Sequence, residues 1–167
     1  MEGSFTVCPA EQEDAAALAD AWLDAGRYYA GLDARRFQLP EEVGLTTWLS
    51  DLLLAPRADD EMWLVAEREG HVAGDLKAHI DRPREGSQYE LVRDVTEPVL
   101  RIDELAVREG ERRRGAGTAL VKAAEDWGRR RGATRAYLTT AIGSEFSVPF
   151  YETLRYERSS IGFWKEM

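Results

Sequence analysis

The run VLRIDELAVREGERRRGAGTALVKAAEDWGRRRG, Val99–Gly132, decides how the rest of the chain is read. Its first nine residues, Val99–Val107, are mostly apolar and follow Pro98, the pattern of an interior strand. Downstream, Gly117, Leu120, Val121, Ala124 and Trp127 recur at the spacing of one helix face, and Gly132 after an arginine run marks a stop. Between strand and helix lies Arg112-Arg113-Arg114-Gly115-Ala116-Gly117-Thr118. Glycines there let the backbone approach a ligand closely, and the unpaired N–H groups of a helix's first turn make an anion site. Three arginines add positive potential at the same place. The chemistry implied is a phosphate-bearing ligand held at a helix N-terminus. The plain alternative is a βα turn whose glycines serve only packing.

Spacing narrows the phosphate motifs. A Walker loop ends in Gly-Lys-Ser/Thr, which this chain lacks, and a dinucleotide fingerprint needs a third glycine where Leu120 stands. The strand gives an independent clue. Leu100 and Ile102 share one parity, whereas Leu105 and Val107 share the other, so a regular strand would turn the two pairs to opposite faces. One extra residue near Asp103–Glu104, a β-bulge, restores a single apolar face and leaves backbone groups unpaired.

Composition sets the bounds. With 167 residues, 44% of them hydrophobic, the chain is expected to fold as one domain over residues 1–167. A net charge of -9 argues against the broad basic face of a nucleic-acid binder and suits a cationic substrate. The single cysteine, Cys8, excludes an internal disulfide and cysteine-based zinc sites. No apolar run reaches a membrane-spanning length and the N-terminus lacks signal-peptide features, so a soluble cytoplasmic protein is the expectation.

In chain order, Ser4–Cys8 reads as a first strand ended by Pro9, and Glu11–Tyr29 as a helix with Ala15, Leu18, Ala19, Trp22 and Leu23 on its apolar stripe. An irregular aromatic segment follows, then a second helix opened by Pro40 and running to about Leu54. Glu61–Glu67 and His71–Ile80 form a hairpin around Arg68-Glu69-Gly70, and Asp81–Glu97 is a polar loop. His79 is expected to be a satisfied structural histidine. After the central unit come a strand Thr134–Thr140, a helix from about Glu145 to Leu154 and a final strand Glu157–Lys165.

Arg-x-x-Gly-x-Gly after a strand ending Leu-Ala-Val resembles motif A of the GNAT family of N-acetyltransferases. A second stretch, Ser144-Glu-Phe-Ser147-Val-Pro-Phe150-Tyr151-Glu-Thr-Leu-Arg155-Tyr156, is similar to the family's second signature, with Ser144 in place of Asn, Ser147 of Ala and Arg155 of Gly. The resemblance implies an α/β (α+β) GNAT fold: a central mixed, mostly antiparallel sheet of six to seven strands, about four helices, and a bulge in the fourth strand.

It also implies roles. Acetyl-CoA would lie with its pyrophosphate on Arg112, Arg113, Arg114, Gly115, Ala116, Gly117 and Thr118, its pantetheine on the backbone of Leu105, Ala106 and Val107, and further contacts to Ser144, Ser147 and Phe150. Tyr151 stands where the family's tyrosine protonates the leaving thiolate. Deprotonating the acceptor needs a base. Asp103, in a register that is acidic in polyamine acetyltransferases of the family, comes first and Glu104 second, with an ion pair to Arg101 as the alternative role for either. Tyr28, Tyr29, Phe37 and Trp48 fall where the family builds its acceptor wall. The function expected is acetyl transfer to a primary amine of a small molecule or peptide, with no metal, by a homodimer. A non-catalytic acyl-CoA-binding module on the same fold, or a nucleotide-binding α/β protein, are the alternatives.

Overall fold

The computed structural model describes residues 4–167. Five strands form one sheet in the order β1 (Thr6–Pro9), β2 (Glu61–Arg68), β3 (His71–Asp81), β4 (Val99–Val107) and β5 (Arg135–Tyr137). The first three junctions are antiparallel and the last, β4 with β5, is parallel. Helices α1 (Ala15–Leu32) and α2 (Leu45–Leu54) cover one face, while α3 (Ala116–Arg130) covers the other. A short helix α4 (Ser147–Thr153) packs beside α3 through Phe150 and Tyr151.

Each face has its own core. Leu76, Leu100 and Ile102 of the sheet meet Leu120, Val121 and Ala124 of α3. On the opposite face Trp63, Val65 and Val72 meet Leu18 and Leu23 of α1 and Leu45, Leu49 and Leu53 of α2. The close seating of α3 depends on Gly128, where an added Cβ would lie 3.2 Å from Leu100 Cβ. Before α1, Glu11 and Asp14 satisfy each other's backbone N–H groups in a capping box, and one turn of 3-10 helix (Gln12–Asp14) leads in.

Three expectations need correction. The second helix starts at Leu45, after Gly44 at φ 86°, and not at Pro40. Pro40 is used elsewhere: its ring lies against α1 at Gly26, where a Cβ would come within 2.5 Å of it. The strand after α3 is only Arg135–Tyr137, shorter than Thr134–Thr140. The sheet has five strands and not six to seven, because Glu157–Lys165 makes no ladder. The turn at Arg155, φ 67°, leads into Tyr156, which is held by a hydrogen bond to Glu125 on α3. Beyond it the chain has no regular secondary structure, and Ile161 and Phe163 are exposed. None of the described helices is long and apolar enough to cross a membrane.

Candidate active site

The site begins where β4 loses its neighbour. β5 pairs with β4 only at Val99, Leu100 and Arg101, so from Ile102 to Val107 that edge of β4 faces no strand. On its other side β4 shifts register against β3: Lys77 faces Glu104 while Ala78 faces Ile102, and Asp103 has no opposite residue. Leu100, Ile102, Leu105 and Val107 consequently all pack on the α3 side despite their mixed parity. Glu104 is turned to the other face, toward α1 and α2.

The chain leaving β4 makes a short 3-10 turn, Glu109–Glu111, and reaches α3 through Gly115 at φ 97°, a left-handed conformation that favours glycine. The N–H groups from Arg113 to Thr118 find no acceptor among the described residues. Free donors in this position, at the head of a 15-residue helix, have the geometry that can hold an anion. The arginines frame it unevenly. Arg112 Nε donates to the Val107 carbonyl at 3.1 Å, fixing the loop to the strand end. Arg114 lies 3.8 Å from Glu111, itself held by Arg68, and Arg113 stacks on the Phe146 ring at 5.6 Å. Gly117 faces the Phe150 ring, 3.2 Å from where its Cβ would be.

On the α1/α2 face a small pocket opens beside Glu104. Leu18 and Trp22 of α1, Trp48, Leu49 and Leu52 of α2, and Trp63 of β2 form its walls, with Asp75, Lys77 and Glu104 at its polar end. Asp75 is 2% exposed and accepts a 2.8 Å hydrogen bond from Trp63 Nε1. Its carboxyl also contacts that of Glu104, and burial first, then the Glu104 charge, hold its pKa well above the ordinary carboxylate range. Asp75 therefore keeps the shared proton and donates it to Glu104. Burial raises Glu104 too, while that hydrogen bond and the Lys77 ammonium pull it back. The result is a Glu104 that binds a proton more tightly than an ordinary glutamate, beside a pocket of three indoles.

Asp103 is placed differently. Its Oδ2 sits 2.8 Å from His79 Nδ1 on the outer, half-exposed part of the sheet. Arg101 pairs with Asp81 at 3.1 Å and stacks on Tyr137, so it serves neither Asp103 nor Glu104. The aromatic wall also divides. Trp48 lines the pocket, whereas Tyr28 and Tyr29 tie the end of α1 to the start of α4. Tyr28 Oη is 3.0 Å from Ser144 Oγ, and Tyr29 Oη is 2.8 Å from Ser147 Oγ; Phe37 packs on Tyr29. Ser144 Oγ further accepts the Ser147 N–H at 3.0 Å, so the residue standing in place of Asn starts α4. Tyr151 lies between Phe150 and Tyr156, and burial, with a smaller contribution from Tyr29, raises its pKa and keeps the phenol protonated.

A family profile described as the acetyltransferase (GNAT) family matches residues 20–156. The chain belongs to that family. No curated protein sequence matches it. Solved structures share the GNAT fold at low identity. A mutant of the BH1408 protein from Bacillus halodurans superposes with a TM-score of 0.83 at 15% identity, over 97% of this chain and 99% of that one. Aminoglycoside N-acetyltransferase AAC(6')-Iy in complex with CoA gives 0.64 at 16%, over 99% and 97%. Aminoglycoside acetyltransferase meta-AAC0020, from an uncultured soil metagenomic sample in complex with sisomicin, gives 0.61 at 17%, over 98% and 96%.

Within this GNAT chain the glycine loop and Glu104, the latter behind Asp103, were candidates from sequence, whereas Trp22, Trp63, Asp75 and Lys77, which line the pocket, were not. Two sequence signals pointed to them. Asp75 is a carboxylate in the middle of β3 with Gly74 and Leu76 on either side, and Trp63 stands at the position that pairs directly with Lys77. A buried acid must find a donor, and the indole N–H is the one within reach.

Proposed function

We propose that the protein transfers the acetyl group of acetyl-CoA to a primary amine. The observation that carries this is the run of unpaired N–H groups, Arg113–Thr118, one turn beyond an unpaired strand edge whose register shift presents Glu104 to a separate pocket. That cradle fits a pyrophosphate in both charge and donor count. The free edge Asp103–Val107 offers main-chain groups to an amide-bearing arm such as pantetheine.

Glu104 is the base in this scheme, ahead of Asp103, which is engaged with His79. Glu104 takes the proton of the acceptor ammonium, and the freed nitrogen forms a C–N bond as the thioester C–S bond breaks. A backbone N–H of Leu105–Val107 steadies the developing oxyanion. Tyr151, kept protonated by burial, donates a hydrogen bond to the departing thiolate. Its raised pKa makes full proton transfer less favourable, so stabilisation by the hydrogen bond is its larger part. Ser144, Ser147 and Phe150 shape the α4 side of the cleft. A homodimer belongs to the same proposal: the outer edge of β5 has no partner strand, and Ile161 and Phe163 stand exposed beside it.

Thermal unfolding with acetyl-CoA, ATP or NAD at equal concentration tests the cofactor. At a hundredfold excess over Kd, binding adds about 2.7 kcal/mol, or about 5–10 °C in Tm for a domain of this size. A rise with acetyl-CoA alone, followed by thiol release on adding an amine, supports the reading. Equal shifts with ATP reduce the cradle to a general anion loop. Binding without thiol release from any amine favours a non-catalytic acyl-CoA module.

A further inference from the structure

The pocket beside Glu104 is lined by an alkylammonium of the chain's own. Lys77 extends from β3 with its Nζ 5.1 Å from the Trp63 ring centroid, in a space also walled by Trp22 and Trp48. Indole faces attract cations, and the Asp75–Glu104 pair, sharing one proton, supplies a single countercharge. The box is therefore electrically balanced with one ammonium inside. An incoming ammonium that displaces Lys77 preserves that balance one for one.

Size adds a second constraint. The free volume is about 50 Å³ with Lys77 in place, and Leu18, Leu49 and Leu52 close the apolar side. The end of a methylene chain fits such a slot and a sugar ring does not. Trp48, 55% exposed, stands at the mouth, and Trp63, 4% exposed, lies at the floor beside Asp75.

We propose that this box is the acceptor subsite and that it selects a primary ammonium carried on an unbranched alkyl chain, with Lys77 as the resident occupant that the acceptor replaces. The proposal rests on the acetyl-transfer reading above. It separates this chain from aminoglycoside acceptors, whose amines sit on bulky rings or one carbon away from them. The same chemistry is presented by a free diamine and by a lysine side chain, and the two are told apart by experiment.

Tryptophan fluorescence reads the box directly, because three of the five tryptophans line it. The full chain is titrated at neutral pH with n-butylamine, 1,4-diaminobutane, Nα-acetyl-lysine amide and glucosamine, each with and without acetyl-CoA. Saturable quenching is expected with the unbranched amines and none with glucosamine. The tighter of the diamine and the lysine amide names the source. Lys77→Met, which vacates the box, is expected to tighten binding by about three- to tenfold, and Trp48→Ala to weaken it on the order of tenfold. Glucosamine binding as well as the alkylamines, no saturation with any unbranched amine, or Lys77→Met leaving affinity unchanged or weaker would each overturn the proposal. The acetyl-CoA thermal shift on the same samples keeps the two readings apart. A normal shift with a flat amine titration sinks only the acceptor box, and no shift sinks the acetyl-transfer reading whatever the amines do.

Discussion

At the α3 end of the cleft the available polar groups are main-chain N–H groups, six in a row from Arg113 to Thr118; at the pocket end they are side chains. Trp22, Trp48, Trp63, Asp75 and Glu104 come from α1, α2, β2, β3 and β4, so no two share an element. The first end is open to solvent and made by one local turn. The second is enclosed and made by the convergence of five elements. A backbone-built site tolerates loss of its side chains and is destroyed by bulk, whereas a side-chain-built site responds to single atoms.

The largest effect is expected where one atom carries a proton. Glu104→Gln keeps shape and removes the base, so kcat should fall about 10²- to 10⁴-fold with the acetyl-CoA thermal shift unchanged. An Asp103→Asn variant that loses as much while Glu104→Gln does not would reverse the assignment. For wild type, kcat/KM should rise with pH through an ionisation lying above the ordinary glutamate range, since burial favours the protonated form of Glu104.

At the other end the sharpest insult is bulk with negative charge. Gly117→Glu places a carboxylate in the first turn of α3, where the helix dipole welcomes it and the fold should survive. The added side chain must push Phe150 aside and competes with the phosphates for the same N–H groups. Acetyl-CoA affinity should drop by more than about a hundredfold, while amine-induced fluorescence changes persist. Parallel loss of both would mean that the two ends are one cooperative unit.

Tyr151→Phe is expected to do less than either. It deletes one donor from a buried, aromatic position packed by Phe150 and Tyr156, and should lower kcat about tenfold at unchanged acetyl-CoA affinity. Smaller still is the joint change Arg113→Ala with Arg114→Ala. Both guanidinium groups are solvent-facing, so affinity should weaken only a few-fold and the difference should shrink in high salt.

The same contrast explains what the sequence disclosed. The strand–loop–helix unit was legible because its causes are adjacent in the chain: an apolar strand, glycines at fixed offsets and an amphipathic helix. The parity change from Ile102 to Leu105 was legible for the same reason, and the register shift lies at Asp103. The pocket beside Glu104 was not, because nothing local tells Trp63 that Asp75 will accept from its indole N–H. The aromatic residues first assigned to the acceptor wall show the difficulty. Trp48 reaches the box, yet Tyr28 and Tyr29 spend their hydroxyls on Ser144 and Ser147, an arrangement set by two substitutions more than a hundred residues away. The last segment failed for another reason: Glu157–Lys165 has the alternation of a strand, but β5 offers an edge of just three residues. Alternation without a partner edge does not make a ladder.

Asp75 gives the smallest predicted effect and the finest comparison of the two ends. Its native pKa is raised by burial and by Glu104, whereas in the unfolded chain it titrates near the ordinary value of about 3.9. Between those two values the native state holds the extra proton, so stability must fall as pH rises through that window. Below it both states are protonated and the cost is absent. Asp75→Asn keeps an acceptor oxygen for Trp63 Nε1 and donor hydrogens for Glu104, but cannot ionise. The variant should match wild type near pH 3–4, judged against the unfolded value, and exceed it at neutral pH by an amount within the usual ~0.5–3 kcal/mol of single substitutions. Urea midpoints at several pH values measure the difference. The same variant should move the pH–rate profile through Glu104 and leave acetyl-CoA binding untouched, since Asp75 faces the pocket and the cradle lies across the sheet. A variant that instead matches wild type in acid and loses stability at neutral pH would mean that Asp75 holds the pair together as an ion, and that Glu104 carries the proton.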